Sequence, residues 1–132
     1  MTVPILFPAI ATWLAVALYM VLVWRAGAMR DRHGIVAPAV TGHPDYERAY
    51  RVQMNTLEQL VPFLPMLWLF AILISGEWAG GLGLLWVAAR IHYAVSYMQD
   101  PARRAPGMIA SVLVTVALML GVLWGIVVLV AF

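Results

Sequence analysis

Apolar residues run almost unbroken through four stretches, roughly 3–24, 57–74, 82–98 and 108–132, and polar residues gather between them. Each run approaches the roughly 20 residues a helix needs to cross a bilayer. Inside lipid, only helices and closed barrels satisfy every backbone N–H and C=O. The runs lack the period-two alternation of barrel strands, so the pattern predicts four membrane helices. "SGEWAGG" at 75–81 and "DPARRAP" at 100–106 read as tight turns, and 27–43 reads as the one long loop. Pro44, Asp45 and Glu47 mark a helix start, because proline fits the first turn and carboxylates complement the N-terminal dipole. The expectation is a single all-α domain over 1–132, an up-down four-helix membrane bundle with helices at about 3–26, 44–75, 80–99 and 106–131.

Composition agrees with that reading and narrows the chemistry. The 132 residues are 64% hydrophobic and only 11% charged, with a mean hydropathy of +0.92, as in an integral membrane protein. With no cysteine, a disulfide framework, a zinc–thiolate site and a cysteine nucleophile are excluded. Thiol chemistry would have to use the thiol of a ligand. The first apolar run has no charged segment before it and exceeds a signal h-region, so it is expected to be a mature span. No phosphate-binding glycine loop or nucleic-acid module is present, and nucleic acid is not an expected partner. His33, His43 and His92 are scattered along the chain and are expected to be structural, with no metal site.

Charge is one-sided. Arg25, Arg30 and Arg32 flank or occupy the first loop, Arg48 and Arg51 open the second helix, and Arg103 and Arg104 lie in the third connection. The opposite side offers only Glu77. The positive-inside rule therefore places the first and third loops in the cytoplasm and both termini outside, as for a bacterial inner-membrane protein.

Topology alone does not account for the polar residues deeper in the spans. At 100° per residue, Arg48, Arg51, Asn55 and Glu58 share an arc of about 80° on the second helix. On the third, Trp86, Arg90, Tyr93 and Tyr97 share an arc of about 60°. An arginine or carboxylate at the helix centre costs roughly 2.5–3.5 kcal/mol on insertion scales, so each is expected to have a partner in the bundle. A Glu58–Arg90 ion pair between the two helices is the structural expectation. Taken singly, Tyr93 and Tyr97 also fit an interfacial aromatic belt, and Arg48 a headgroup contact. Together, Arg51, Asn55, Glu58, Tyr93 and Tyr97, with Arg104 at the rim, offer cations for carboxylates, an acid for an ammonium and phenols for an anion. Such a set suits a small zwitterionic or anionic ligand.

The segment "ERAYRVQMNTLEQLVPFLPMLW" resembles the second-helix signature of the MAPEG family (membrane-associated proteins in eicosanoid and glutathione metabolism). That signature has the core Glu-Arg-x-x-Arg-x-x-x-Asn-x-x-Glu, and Glu47, Arg48, Arg51, Asn55 and Glu58 supply each position. "ARIHYAVSYMQDPARRAPG" is similar to the family's third-helix signature, with Arg90, Tyr93, Tyr97 and then Arg104. The resemblance, closest to the microsomal glutathione transferases, implies a homotrimer in membrane lipid that binds glutathione as co-substrate between subunits. It implies Arg51, Asn55, Glu58, Tyr93, Tyr97 and Arg104 as ligands from one subunit and Gln53 from its neighbour. Arg104 would be catalytic by stabilising the thiolate, with Tyr97 adding a hydrogen bond, and a lipophilic electrophile or hydroperoxide would be the second substrate. Two departures bear on that chemistry. Asp31, between Arg30 and Arg32, stands where the leukotriene synthases of the family carry a second catalytic arginine, and Gln59 stands where they carry tyrosine after the glutamate. A non-catalytic protein binding glutathione or lipid on the same scaffold is the alternative. A four-span exporter would favour a carboxylate in the first helix, which has none.

The charge asymmetry gives a direct test of orientation. A reporter fused after Phe132 is expected to be active only outside the cytoplasm, and a cytoplasmic signal would reverse the assignment.

Overall fold

The structure, a computed structural model, describes residues 3–132, so the first two residues of the expected domain lie outside it. Among the described residues there are four α-helices and no strand: α1 Val3–Arg32, α2 Pro44–Leu73, α3 Gly76–Gln99 and α4 Ala105–Ala131. A single 3₁₀ turn, Pro101–Arg103, joins α3 to α4. α1, α2 and the run Pro101–Ala131 are long and apolar enough to cross a membrane. α3 has the length, at 24 residues, but carries four glycines, Arg90 and His92. The protein is an integral membrane four-helix bundle in which α3, with Arg90 at its centre, is the most enclosed helix.

Local chemistry sets the ends of the elements. His43 caps α2, its Nδ1 accepting the Asp45 N–H at 3.1 Å, with Pro44 at the first helical position. Ser75 caps α3, its Oγ accepting the Trp78 N–H at 3.3 Å. "SGEWAGG" is therefore not a turn. α3 starts at Gly76 and not near 80, and the reversal is confined to Ile74 and Ser75. The glycines that suggest a turn serve close helix packing. A Cβ added at Gly80 would collide with the backbone and Cβ of Phe7 on α1, and one at Gly76 with the Pro4 carbonyl.

α1 also differs from expectation, running through Arg32 where an end near 26 is expected. Its last turns are held from the following loop. Arg30 donates to the Ala39 carbonyl at 2.7 Å and to the Tyr46 hydroxyl, and its guanidinium lies 4.8 Å from the centre of the Tyr46 ring. At 1.5 Å per residue α1 and α2, 30 residues each, reach about 45 Å. That exceeds the hydrocarbon core of about 30 Å, so the end carrying the long loop rises into the headgroup layer.

α2 and α3 pack against one another, and each touches both α1 and α4. The core between them stacks Phe63 on Trp86, with centroids 4.1 Å apart, among Ala11, Ala15, Leu67, Leu118 and Val122. Large apolar side chains such as Trp13, Val61, Ile72, Leu120 and Leu129 face outward, as lipid-facing positions should. Trp68 donates to Thr12 Oγ1 at 3.0 Å, and Thr12 donates to the Pro8 carbonyl at 2.8 Å. Both polar side chains are thus satisfied within the span.

Gly80 and Gly81 make a matched test of the α1–α3 contact. Gly80→Ala is expected to lower stability by about 1–3 kcal/mol through overpacking. Gly81→Ala, where a Cβ meets nothing within 4 Å, is expected to be neutral or to gain up to about 1 kcal/mol from helix propensity. Thermal unfolding of the two variants in one detergent measures both.

Candidate functional site

Arg90 sits fully buried in α3 among four acceptors on two other helices. Its Nη2 donates to Asn55 Oδ1 and to Thr56 Oγ1 on α2, each at 2.8 Å. Its Nη1 reaches Ser111 Oγ at 3.4 Å and Met108 Sδ at 3.6 Å on α4. The guanidinium also lies 4.0 Å from the centre of the Tyr93 ring, one turn along α3, a favourable cation–π distance.

The expected Glu58–Arg90 ion pair is not formed. Glu58 pairs with Arg51 on its own helix, Oε1 to Nη1 at 3.6 Å, and both side chains are about half exposed. Seven residues of α-helix rotate by 700°, so Arg51 and Glu58 lie within about 20° of one another. Asn55 and Thr56 both turn toward α3, where they share the Arg90 Nη2. The long Arg90 side chain could reach toward Glu58, but helix azimuth gave it neutral acceptors instead.

The arrangement fixes Asn55. A guanidinium has only donors, so the Asn55 carbonyl oxygen must face Arg90. Its amide nitrogen is left to donate elsewhere. Beside it opens a cavity of about 380 Å³ lined by Arg51, Asn55, Tyr93, Tyr97, Arg104 and Met108, within the usual range for small-ligand sites. Tyr93 and Tyr97 form one wall, with ring centroids 5.7 Å apart. Arg104, at the rim, is oriented by a 2.8 Å bond from Nη1 to the Pro101 carbonyl. Asp100 shapes that connection by accepting the Ala102 N–H at 3.0 Å.

Five of the residues expected around a ligand thus line one cavity: Arg51, Asn55, Tyr93, Tyr97 and Arg104. Glu58 stands beside it through Arg51, and Gln53 is not part of its lining. Met108, Thr56 and Ser111 had no sequence signal, since methionine and small hydroxyl residues are ordinary in membrane helices. Two guanidiniums, an amide donor and two phenols in a half-enclosed space can hold carboxylates and favour an anion over its neutral acid.

The histidines also depart from expectation. His33 and His43 are not scattered in space. Their rings stack 3.6 Å apart and 11° from parallel, and His33 Nε2 lies 3.9 Å from Asp45 Oδ2. With Asp45 they form a group whose ligand atoms all lie within 4.8 Å of one another, spacing that could hold a metal ion where scattered histidines are expected. His92 is remote from this pair, beside Ser96 at 3.5 Å.

A model of the MAPEG family matches residues 8–124. The chain belongs to the MAPEG family. It is 46% identical over 124 residues to an uncharacterized protein of Synechocystis sp., covering 91% of this chain and 90% of that one. Microsomal glutathione S-transferase 2 of Mus musculus is 39% identical over 84 residues, 64% of this chain and 57% of that protein. Leukotriene C4 synthase of Bos taurus is 36% identical over 74 residues, 56% of this chain and 49% of that protein. The chain therefore spans about half the length of these two enzymes. In this MAPEG chain Arg30 is engaged with Ala39 and Tyr46, Asp31 is exposed, and neither lines the cavity beside Asn55.

Arg90→Met tests the cluster. It leaves Asn55, Thr56 and Ser111 without their buried donor, and a loss of about 3–5 kcal/mol is expected, as for other broken buried polar clusters. Arg90→Lys is expected to recover only part of this, because one ammonium lacks the forked reach to α2 and α4. Thermal midpoints of the purified proteins decide it, and an unchanged Arg90→Met midpoint would remove the cluster's structural role.

Proposed function

We propose that the protein is a membrane-embedded glutathione transferase or glutathione-dependent peroxidase acting on lipophilic electrophiles or hydroperoxides. The observation that carries this is the convergence of Arg51, Asn55, Tyr93, Tyr97 and Arg104 on one cavity, together with kinship to a glutathione S-transferase. The Arg51 and Arg104 guanidiniums bind carboxylate and thiolate, the Asn55 amide donates to a peptide carbonyl, and Glu58 takes the ammonium. A homotrimer in a bacterial inner membrane, with the site facing the cytoplasm and Gln53 supplied by a neighbour, completes the proposal. Support for a covering subunit comes from the half-exposed Arg51–Glu58 pair, which lies within a membrane-spanning helix where lipid would be a poor neighbour.

The chemistry follows from the thiol. Free thiols have pKa values near 8.5, so only a few per cent is thiolate at neutral pH. A guanidinium beside the sulfur in a water-poor cavity favours the ionised form and lowers that pKa. The proton leaves to solvent, and the thiolate sulfur forms a bond to an electrophilic carbon as the leaving group departs with its electron pair. With a hydroperoxide, sulfur attacks the terminal oxygen to give a sulfenic acid and an alkoxide, which takes a proton to become the alcohol. A second glutathione then gives the disulfide and water. Because Asp31 replaces a cation and Arg30, in the last turn of α1, is engaged by Ala39 and Tyr46, generic conjugation or peroxide reduction is proposed over specialised epoxide opening.

Binding and ionisation are tested separately. Calorimetry is expected to show glutathione binding that weakens by about 1–3 kcal/mol on Arg51→Ala, as for a lost charge-assisted contact. A thiolate difference spectrum should persist in the wild type as pH falls below 8.5 and vanish only through the lowered pKa. In Arg104→Ala it should be absent at neutral pH while weak binding remains. Binding without any thiolate signal up to pH 8 would replace the enzyme with a non-catalytic binding protein. No binding in several detergents or in lipid sinks both readings.

A further inference from the structure

A second polar cavity lies on the other side of the α2–α3 pair, between α1, α2 and α3 at the loop-bearing end. It measures about 270 Å³ and is lined by Arg25, Met29, Arg32, Asp45, Arg48 and Met98. Arg25, Met29 and Arg32 fall at i, i+4 and i+7, one stripe of α1, and Asp45 and Arg48 at i and i+3 on α2. Three guanidiniums thus face one space with a single carboxylate. Among the described residues none of the three has a carboxylate within ion-pair distance. Asp45 is nearest instead to His33, at 3.9 Å. Arg48 spends one N–H on the Met98 carbonyl, at 3.3 Å, and its remaining donors are free. Like charges gathered without counter-charges repel, and an anion between them removes that repulsion.

We propose that this cavity is a phosphate-binding site, clamping a phosphoryl group between Arg25, Arg32 and Arg48. Trp24, strongly exposed next to Arg25, marks the level where an indole meets the membrane–water boundary. The headgroup phosphate of an anionic lipid lies at that depth, and Met29 and Met98 offer an apolar wall to the glycerol behind it. Free phosphate presents the same oxygens to the same arginines. The site is distinct from the cavity beside Asn55: no residue lines both.

The test uses the full-length protein purified in a mild non-ionic detergent, with native mass spectrometry as readout. Phosphatidylglycerol, phosphatidylcholine and inorganic phosphate are added in separate arms. Phosphatidylglycerol is expected to be retained at least tenfold better than phosphatidylcholine, and R25Q/R32Q to lose that preference. R103Q removes an exposed arginine outside the cavity and is expected to retain it. Retention of inorganic phosphate alone, lost in R25Q/R32Q, supports the same site with a soluble anion as its source. Arg25 and Arg32 are exposed, so their replacement spares the core, and the single variants R25Q and R32Q provide a graded second reading. Wild-type retention in R25Q/R32Q, or equal loss in R103Q, overturns the proposal. So does the absence of any preference among the three probes in the wild type.

Discussion

The bundle depends on one buried guanidinium without a carboxylate. Arg90 lies fully buried in the most enclosed helix, and the bilayer offers no water to solvate it. Its charge is satisfied by dispersed neutral dipoles, Asn55, Thr56 and Ser111, and by the face of Tyr93. Those groups belong to three helices, so satisfying the charge also fixes how α2, α3 and α4 meet. Lipid-like packing alone gives helices little reason to choose one register, and a donor fork with fixed geometry supplies it.

That constraint passes directly into the cavity. Asn55 presents its nitrogen to the open space because its oxygen is held by Arg90. Tyr93 is placed by the same guanidinium, and Tyr97 follows one turn later beside it. Gly107 lets α4 come close, since a Cβ there would strike the backbone of Ala89 and Tyr93, and this brings Met108 to the cavity and to Arg90. A buried network beneath exposed arginines separates two tasks: position comes from the network, charge from the rim.

At the loop-bearing end a different set of contacts closes the structure. Arg30 grips Ala39 and Tyr46, and the His33–His43 stack joins the end of α1 to the start of α2. These contacts extend α1 past the hydrophobic span and turn Arg25 and Arg32 onto the α2 side. Two cationic cavities then stand either side of the α2–α3 pair.

Four helices, the start of α2 and a polar stripe on each of α2 and α3 were determined by the sequence itself. Hydrophobic run length and 100° per residue are local properties, independent of what packs where. Arg51 with Asn55, and Tyr93 with Tyr97, stay together for the same reason, each pair lying on one arc of its own helix, whereas their meeting with Arg104 around one cavity is tertiary. Only tertiary structure decided who partners Arg90. The need of a deep charge for a partner suggests Glu58, but azimuth gives that carboxylate to Arg51 and leaves Arg90 to Asn55 and Thr56. It also turned the glycines at 76 and 80 from turn signals into contact points, and brought His33 to His43. Glycine permits both a reversal and a close approach, and nothing in its own residue type selects between them; the neighbouring α1 backbone does.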